Sequence, residues 1–310
     1  MSMSRMEFWV ALNNTRPNID ALTTKAYAVD AQSSWERTLS SSPHGKAWNT
    51  SFHASDFPGD DPKACPRKSL YTLMGLPAPE PFNRFSMSIM DMGKDIEERV
   101  VSRWHKLGVL LSNPPWAKHQ TGYEDSESWL TGSCDAVVLP NGWRRPHVIE
   151  VKTKSDEHIA EMKAGTRTYD EAHRKQLLTY ISMFNELSKD LWPDLDPVVD
   201  GSLYYISRAN LTNTVEFFFN IDEDFFKSGV NKLITWKDLF LQDALPERPK
   251  DWKWTDLPCR WCKYKKHACK PDMKDGIELL SESNGISWAE KVYGSYEYNA
   301  VKDSVISRWS

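Results

Sequence analysis

The sequence predicts an α/β fold, a mixed sheet flanked by helices, and two observations carry that expectation. Apolar residues recur every three or four positions over residues 93–107 and 170–187, the spacing of amphipathic helices. Around these stretches lie two pairs of short strand-like runs, 133–139 with 147–153 and 203–207 with 214–220. Helix, hairpin, helix, hairpin is the order of a sheet with helices packed on it.

Residues 1–55 are polar and uneven and form an N-terminal extension, read as a short helical region followed by a Ser-rich loop. The main domain is expected over 56–275. Its first helix places Ile96, Val100, Val101, Trp104 and Leu107 on one stripe. Pro140-Asn141-Gly142 separates the first two strands, and Asn-Gly is a strong hairpin-turn signal. The second helix carries Leu177, Tyr180, Ile181 and Phe184 on its apolar face. A Trp-, Lys- and Cys-rich segment follows the last strands, and residues 276–310 form a partly helical tail.

Composition narrows the function classes. The chain has 310 residues, 40% hydrophobic and 26% charged, so wholesale disorder is excluded. No stretch reaches the roughly 18 apolar residues of a membrane span, and the N-terminus lacks a signal-peptide core, so a cytoplasmic protein is expected. In that setting the Asn-x-Ser/Thr matches at Asn13, Asn49 and Asn210 carry no meaning. A net charge of −4 argues against a uniformly basic duplex-coating protein but leaves room for a local basic groove. Five cysteines, an odd number, point to metal ligation more than to disulfides in a reducing compartment.

The most informative local feature is the first hairpin. Asp135 lies early in one strand, and Glu150 and Lys152 lie two apart in the other, on one face, with Val151 turned away. Val148 and Val151 are expected to serve the core. Asp135, as a cross-strand neighbour, can bring a second carboxylate to Glu150. Oxygen ligands of this kind suit Mg2+ or Mn2+. Such an ion activates water and neutralises phosphodiester charge, and a nearby lysine orients the water or stabilises the transition state. Alone, Glu-x-Lys on a strand is more often a solvated ion pair. Two further features favour the chemical reading. Gln176 and Tyr180 are i, i+4 on the next helix, and Glu97 borders the buried stripe of the first helix as an additional ligand or a first-turn acid.

Near the C-terminus Cys259, Cys262 and Cys269 form a cluster, with Cys65 the best fourth ligand; Cys134 reads as a small buried hydrophobe. Taken together, these motifs resemble the RecB-family PD-(D/E)XK nucleases that carry an iron–sulfur cluster. That group includes AddB-type helicase–nucleases and CRISPR-associated adaptation nucleases. The resemblance spans roughly residues 53–270. Gly93-x-x-x-Glu97 is similar to the first motif, Asp135 to the second, Glu150-Val151-Lys152 to the third, and Gln176-x-x-x-Tyr180 to the RecB-branch motif. Glu97 stands where the first motif often has His, and six residues separate Cys262 from Cys269 where about five are expected.

The resemblance implies a restriction-endonuclease-like sheet closed by a C-terminal four-cysteine region, 257–272. It implies Mg2+ or Mn2+ held by Asp135 and Glu150, with Glu97 and the Val151 carbonyl. Lys152 would position the attacking water, and Gln176 and Tyr180 would orient Lys152 or the DNA backbone. Cys65, Cys259, Cys262 and Cys269 would hold a [4Fe–4S] cluster, with Zn2+ the alternative for four thiolates. Around them Arg260, Lys263, Lys265 and Lys266 are interleaved with Trp261 and Tyr264, a pattern suited to unpaired strands. Arg67, Lys68, Arg144, Arg145, Arg174 and Lys175 are expected to extend that surface around the cleft. The expected function is a metal-dependent DNA exonuclease acting on single-stranded DNA or DNA ends in recombination, repair or end processing. The alternatives are a non-catalytic nucleic-acid-binding module and an RNA-directed nuclease. No GxxxxGK[ST] motor motif is present. Unwinding would therefore need a helicase or recombination partner, and the organisation suits a stand-alone nuclease of a phage or mobile element.

Overall fold

The computed structural model describes residues 51–62, 64–73, 84–112 and 122–242, with single positions at 244, 246, 262 and 303 and a last stretch at 305–309. The described parts of Asn83–Tyr123 and Gly132–Glu223 make one compact unit. Those of Pro43–Phe82, Glu124–Thr131 and Asp224–Ser310 make a second.

The first unit holds α2 (Arg84–Lys106), β4 (Ala136–Val138), β5 (His147–Lys154), α3 (Asp156–Lys163), α4 (Glu171–Leu191), β6 (Asp200–Ser207) and β7 (Thr214–Asn220). Its sheet has the order β4-β5-β6-β7. β4 and β5 form the expected antiparallel hairpin, with Ala136 opposite Ile149 and Val138 opposite His147. Gly142 at its turn has φ +88°, a conformation that glycine adopts without strain. β5 and β6 are parallel, so α3 and α4 make the crossover between them. β6 and β7 are again antiparallel.

Strand alternation decides which helix each face receives. Ile149 and Val151 of β5 and Tyr204 and Ile206 of β6 pack with Ile96, Val100, Val101 and Trp104 of α2. The opposite face carries Val148, Glu150 and Lys152. Val148, expected with Val151, therefore shares the face of Glu150, because even and odd positions of one strand cannot share a side. Close approach on that face explains Gly201. A Cβ there would stand 2.7 Å from the Val148 carbonyl oxygen and 3.0 Å from Ile181 and Leu177 of α4. Gly201→Ala is expected to destabilise the protein by about 1–3 kcal/mol through overpacking, read as a lower denaturant midpoint at unchanged slope.

α2 begins nine residues before the expected start at 93, because Gly93 sits inside the helix, where its missing Cβ faces Thr153 Oγ1 at 3.4 Å. β4 is shorter than the expected strand because Cys134 and Asp135 precede its ladder.

The second unit holds β1 (Phe52–His53), α1 (Pro66–Leu73), most of β2 (Tyr123–Asp125) and β3 (Leu130–Gly132), and α5 (Glu223–Leu241). β1, β3 and β2 form a small sheet in that order. Phe57 stacks on Phe226 of α5, and Trp129 packs edge-on against Phe240. No described helix is long and apolar enough to cross a membrane.

Candidate active site

The expected carboxylates do meet. Asp135 directly precedes β4, at the end where β5 runs on toward its C-terminus with no partner on the β4 side, which brings it beside Glu150 in the extended register. Its Oδ2 accepts the Val151 N–H at 2.7 Å. The N–H and C=O of a strand residue emerge on the same side, so the Val151 carbonyl faces this open edge as well. Glu97 of α2 completes the group, its carboxyl in contact with that of Asp135.

Glu150 is 1% exposed. Its Oε1 accepts the Lys152 ammonium, and its Oε2 is buried without a hydrogen-bond partner. Burial and the Asp135 carboxylate push the Glu150 carboxyl up to about 8. Burial, Asp135 and Glu150 push Glu97 up to about 9. Burial also raises Asp135. Lys152 is held charged: burial pulls it down, but Glu150 and Asp135 outweigh that and raise it. From α4, Gln176 Nε2 lies 3.2 Å from Tyr180 Oη, so the expected i, i+4 pair is joined. Burial, then the Glu150 charge, pushes the Tyr180 hydroxyl up and keeps it protonated.

These donors fit a hard divalent ion in kind. They are carboxylate oxygens, one is orphaned in the interior, and their mutual repulsion would be relieved by a cation. As placed, no three His, Cys, Asp or Glu side chains among the described residues stand close enough to ligate one ion. Lys152 and the Val151 N–H hold the carboxylates in a charge-compensated arrangement instead.

One set of side chains had no expected role. Beyond Lys152, Lys154 pairs with Asp170, the N-cap position of α4. Tyr205 Oη accepts the Asp170 N–H at 3.1 Å and lies 3.0 Å from His173 Nδ1. The signal was present in the sequence. Lys154 continues the spacing of two from Lys152, and His173 precedes Gln176 by one helical turn.

Other expectations are corrected or lie elsewhere. Arg144 and Arg145 stand at the turn end of the β4–β5 hairpin, whereas Asp135, Glu150 and Lys152 lie toward its open end, so they do not line this cleft. They border instead a cavity of about 330 Å³ with His147 and Asp200. Arg67 is buried rather than presented to a ligand, bonding Tyr71 Oη at 2.8 Å and the Pro246 carbonyl at 2.9 Å. Lys68 pairs with Asp56, and Arg174 with Glu171. Cys134 is buried, as expected of a small hydrophobe. Cys259 and Cys269, with Arg260, Trp261, Lys263, Tyr264, Lys265 and Lys266, lie outside the described residues. Cys65 and Cys262 are described, and both lie near enough to Lys68 to raise its ammonium, with Asp56, against the lowering effect of burial.

No family model matches the chain. No curated protein matches it either. Among solved structures it is similar to LHK-Exo, an alkaline exonuclease from Laribacter hongkongensis. In complex with dAMP that protein aligns with TM-score 0.41 and 14% identity, over 63% of this chain and 90% of the other. A second LHK-Exo structure gives 0.37 and 15%, over 63% and 88%. A likeness at this level decides neither fold nor activity, and the site rests on its own residues.

Proposed function

We propose that the chain is a divalent-metal-dependent deoxyribonuclease of the PD-(D/E)XK type that hydrolyses phosphodiester bonds at single-stranded DNA ends. The observation that carries this reading is the meeting of Glu97, Asp135 and Glu150 beside Lys152, with Glu150 Oε2 buried and unpaired. Asp135 and Glu150, with Glu97 and the Val151 carbonyl, would hold Mg2+ or Mn2+. Such an ion, when bound, supplies an activated water and neutralises phosphate charge. Lys152 would then be released from Glu150 to orient the water and stabilise the charge that develops on the phosphorus oxygens during in-line attack. Gln176 and Tyr180, joined to each other, would orient Lys152 or the DNA backbone.

The test is cleavage of single-stranded DNA labelled separately at each end, with Mn2+, Mg2+ or EDTA, for the wild type beside Lys152→Ala. Metal-dependent products lost in the variant support the reading, and activity equal in both contradicts it. The closed Lys152–Glu150 pair is the observation that favours a non-catalytic nucleic-acid-binding module. That reading predicts DNA binding without cleavage under every metal. Competition between DNA and RNA oligonucleotides separates an RNA-directed enzyme.

The reading extends to a [4Fe–4S] or zinc centre on Cys65, Cys259, Cys262 and Cys269. Its support is that Cys65 and Cys262, far apart in sequence, both act electrostatically on Lys68. On this proposal Cys259→Ala lowers iron or zinc content and melting temperature together. Full metal content with unchanged melting overturns it.

A further inference from the structure

We infer that His173 is a substrate-contacting residue of this site, its Nε2–H donating to a phosphate oxygen of the bound strand next to the phosphodiester held at Glu150 and Lys152. The inference rests on the nuclease reading above and adds a residue to it.

One tautomer satisfies every hydrogen bond around Tyr205. An amide N–H only donates, so the Asp170 N–H makes Tyr205 Oη an acceptor at 3.1 Å. A phenol oxygen can accept a second bond or donate its one proton, and donation to His173 Nδ1, 3.0 Å away, is the form that leaves no buried hydroxyl proton without an acceptor. With Nδ1 accepting, the ring proton of the neutral imidazole sits on Nε2. Among the described residues Nε2 has no hydrogen-bond partner, and the side chain is half-buried rather than enclosed. The ring is therefore held through Nδ1 while Nε2 is left uncommitted within the protein.

The neighbours set the charge of what it would meet. Burial, then Lys152 and Lys154, lowers the imidazole to about 4 against the raising effect of Asp170, so it stays neutral over the working range. The ring is flanked by Lys152 and Lys154, paired with Glu150 and Asp170, and Asp170 Oδ2 stands 3.7 Å from Nδ1. A neutral Nε2–H suits an anionic oxygen that the two ammonium groups also attract. The Tyr205 ring, on β6, is itself anchored, fully buried and packed edge-on against Phe217. The Tyr205 hydroxyl is pushed up to about 12, chiefly by burial, so it keeps the proton it can give to Nδ1. The sequence spacing agrees, because His173 lies one turn before Gln176 on α4, the helix that faces Glu150 and Lys152.

The test uses the full chain and a fluorescent single-stranded oligonucleotide. Binding is measured in Ca2+ and cleavage in Mn2+, for the wild type, His173→Ala, His173→Gln and Tyr205→Phe, each with a melting curve. His173→Ala is expected to weaken binding and raise KM about tenfold, with kcat changed less than about threefold, the effect of one lost charge-assisted hydrogen bond. His173→Gln keeps a neutral N–H donor and should recover most of that loss. Tyr205→Phe frees the tautomer and should fall between them. Unchanged binding and KM in His173→Ala overturn the inference, as does a Gln variant as weak as Ala with wild-type melting. If the wild type binds without cleaving and the His173 pattern holds in binding, the contact stands and the enzyme reading fails. If the wild type neither binds nor cleaves, both fail.

Discussion

Lys152→Ala is expected to cut DNA cleavage by about 10²–10³, the cost of removing one electrostatic contact to the developing charge, and to show a pH-dependent loss of stability. Lys152 is the partner of Glu150, which is 1% exposed. Removing one member of a buried ion pair typically costs about 3–5 kcal/mol when the other stays charged. Here Glu150 has an alternative, because burial and Asp135 already place its carboxyl at about 8 with Lys152 present. Without Lys152, whose charge pulls that value down, it keeps its proton at neutral pH and above. The variant should therefore melt close to the wild type at pH 6 and clearly below it at pH 9, where keeping that proton is unfavourable. Glu150→Gln added to Lys152→Ala should restore melting at pH 9 without restoring cleavage. Melting curves at the two pH values check this, and equal loss at both would show that Lys152 acts through packing alone.

The second large effect is the response of the metal-free protein to pH. Glu150 and Glu97 titrate near 4.5 in the unfolded chain but near 8 and 9 in the folded one. Between those values the folded state binds more protons, so stability falls as pH rises. The contribution of these raised carboxyls is fully present below about 4.5 and is lost as pH passes 8 to 9. Lys152 stays charged through this window and adds no slope of its own. The metal-free melting temperature should therefore drop from pH 6 to pH 9. Each kcal/mol corresponds to roughly 2–4 °C for a domain of this size. Mn2+ should raise the melting temperature, and more at pH 9 than at pH 6, because the ion displaces protons from the carboxylates it binds. Asp135→Asn, whose side-chain oxygen can still accept the Val151 N–H, should lose most of the Mn2+ effect. A flat pH profile and no metal response would contradict the reading of this group as a cation site.

Much of this site was legible in the sequence because its periodicities are short. A spacing of two on a strand puts Glu150 and Lys152 on one face, and a spacing of four on a helix joins Gln176 to Tyr180; both hold. Asn141-Gly142 marked the hairpin, and β6 and β7 fall within a few residues of the expected runs. What local pattern could not supply is partnership over distance. The parallel pairing of β5 with β6, which places Tyr205 opposite Lys152, depends on a crossover through two helices, one of them unanticipated. The same pairing brings Tyr205 to His173 and Asp170. Charge alone puts Arg144 and Arg145 at the cleft, but a hairpin separates its turn from its open end. Arg67 likewise reads as a surface cation and is buried by Tyr71 and a backbone carbonyl. α5 was missed although Phe225, Gly229, Leu233, Trp236 and Phe240 recur at helical spacing on its buried side.

The most direct measurement is cleavage of end-labelled single-stranded DNA by wild type and Asp135→Asn in Mn2+, Mg2+ and EDTA, with both proteins shown to melt alike. The account predicts a product ladder from the wild type with either metal, none in EDTA, and none from Asp135→Asn. Cleavage that persists in EDTA, or that Asp135→Asn retains in full, would contradict it.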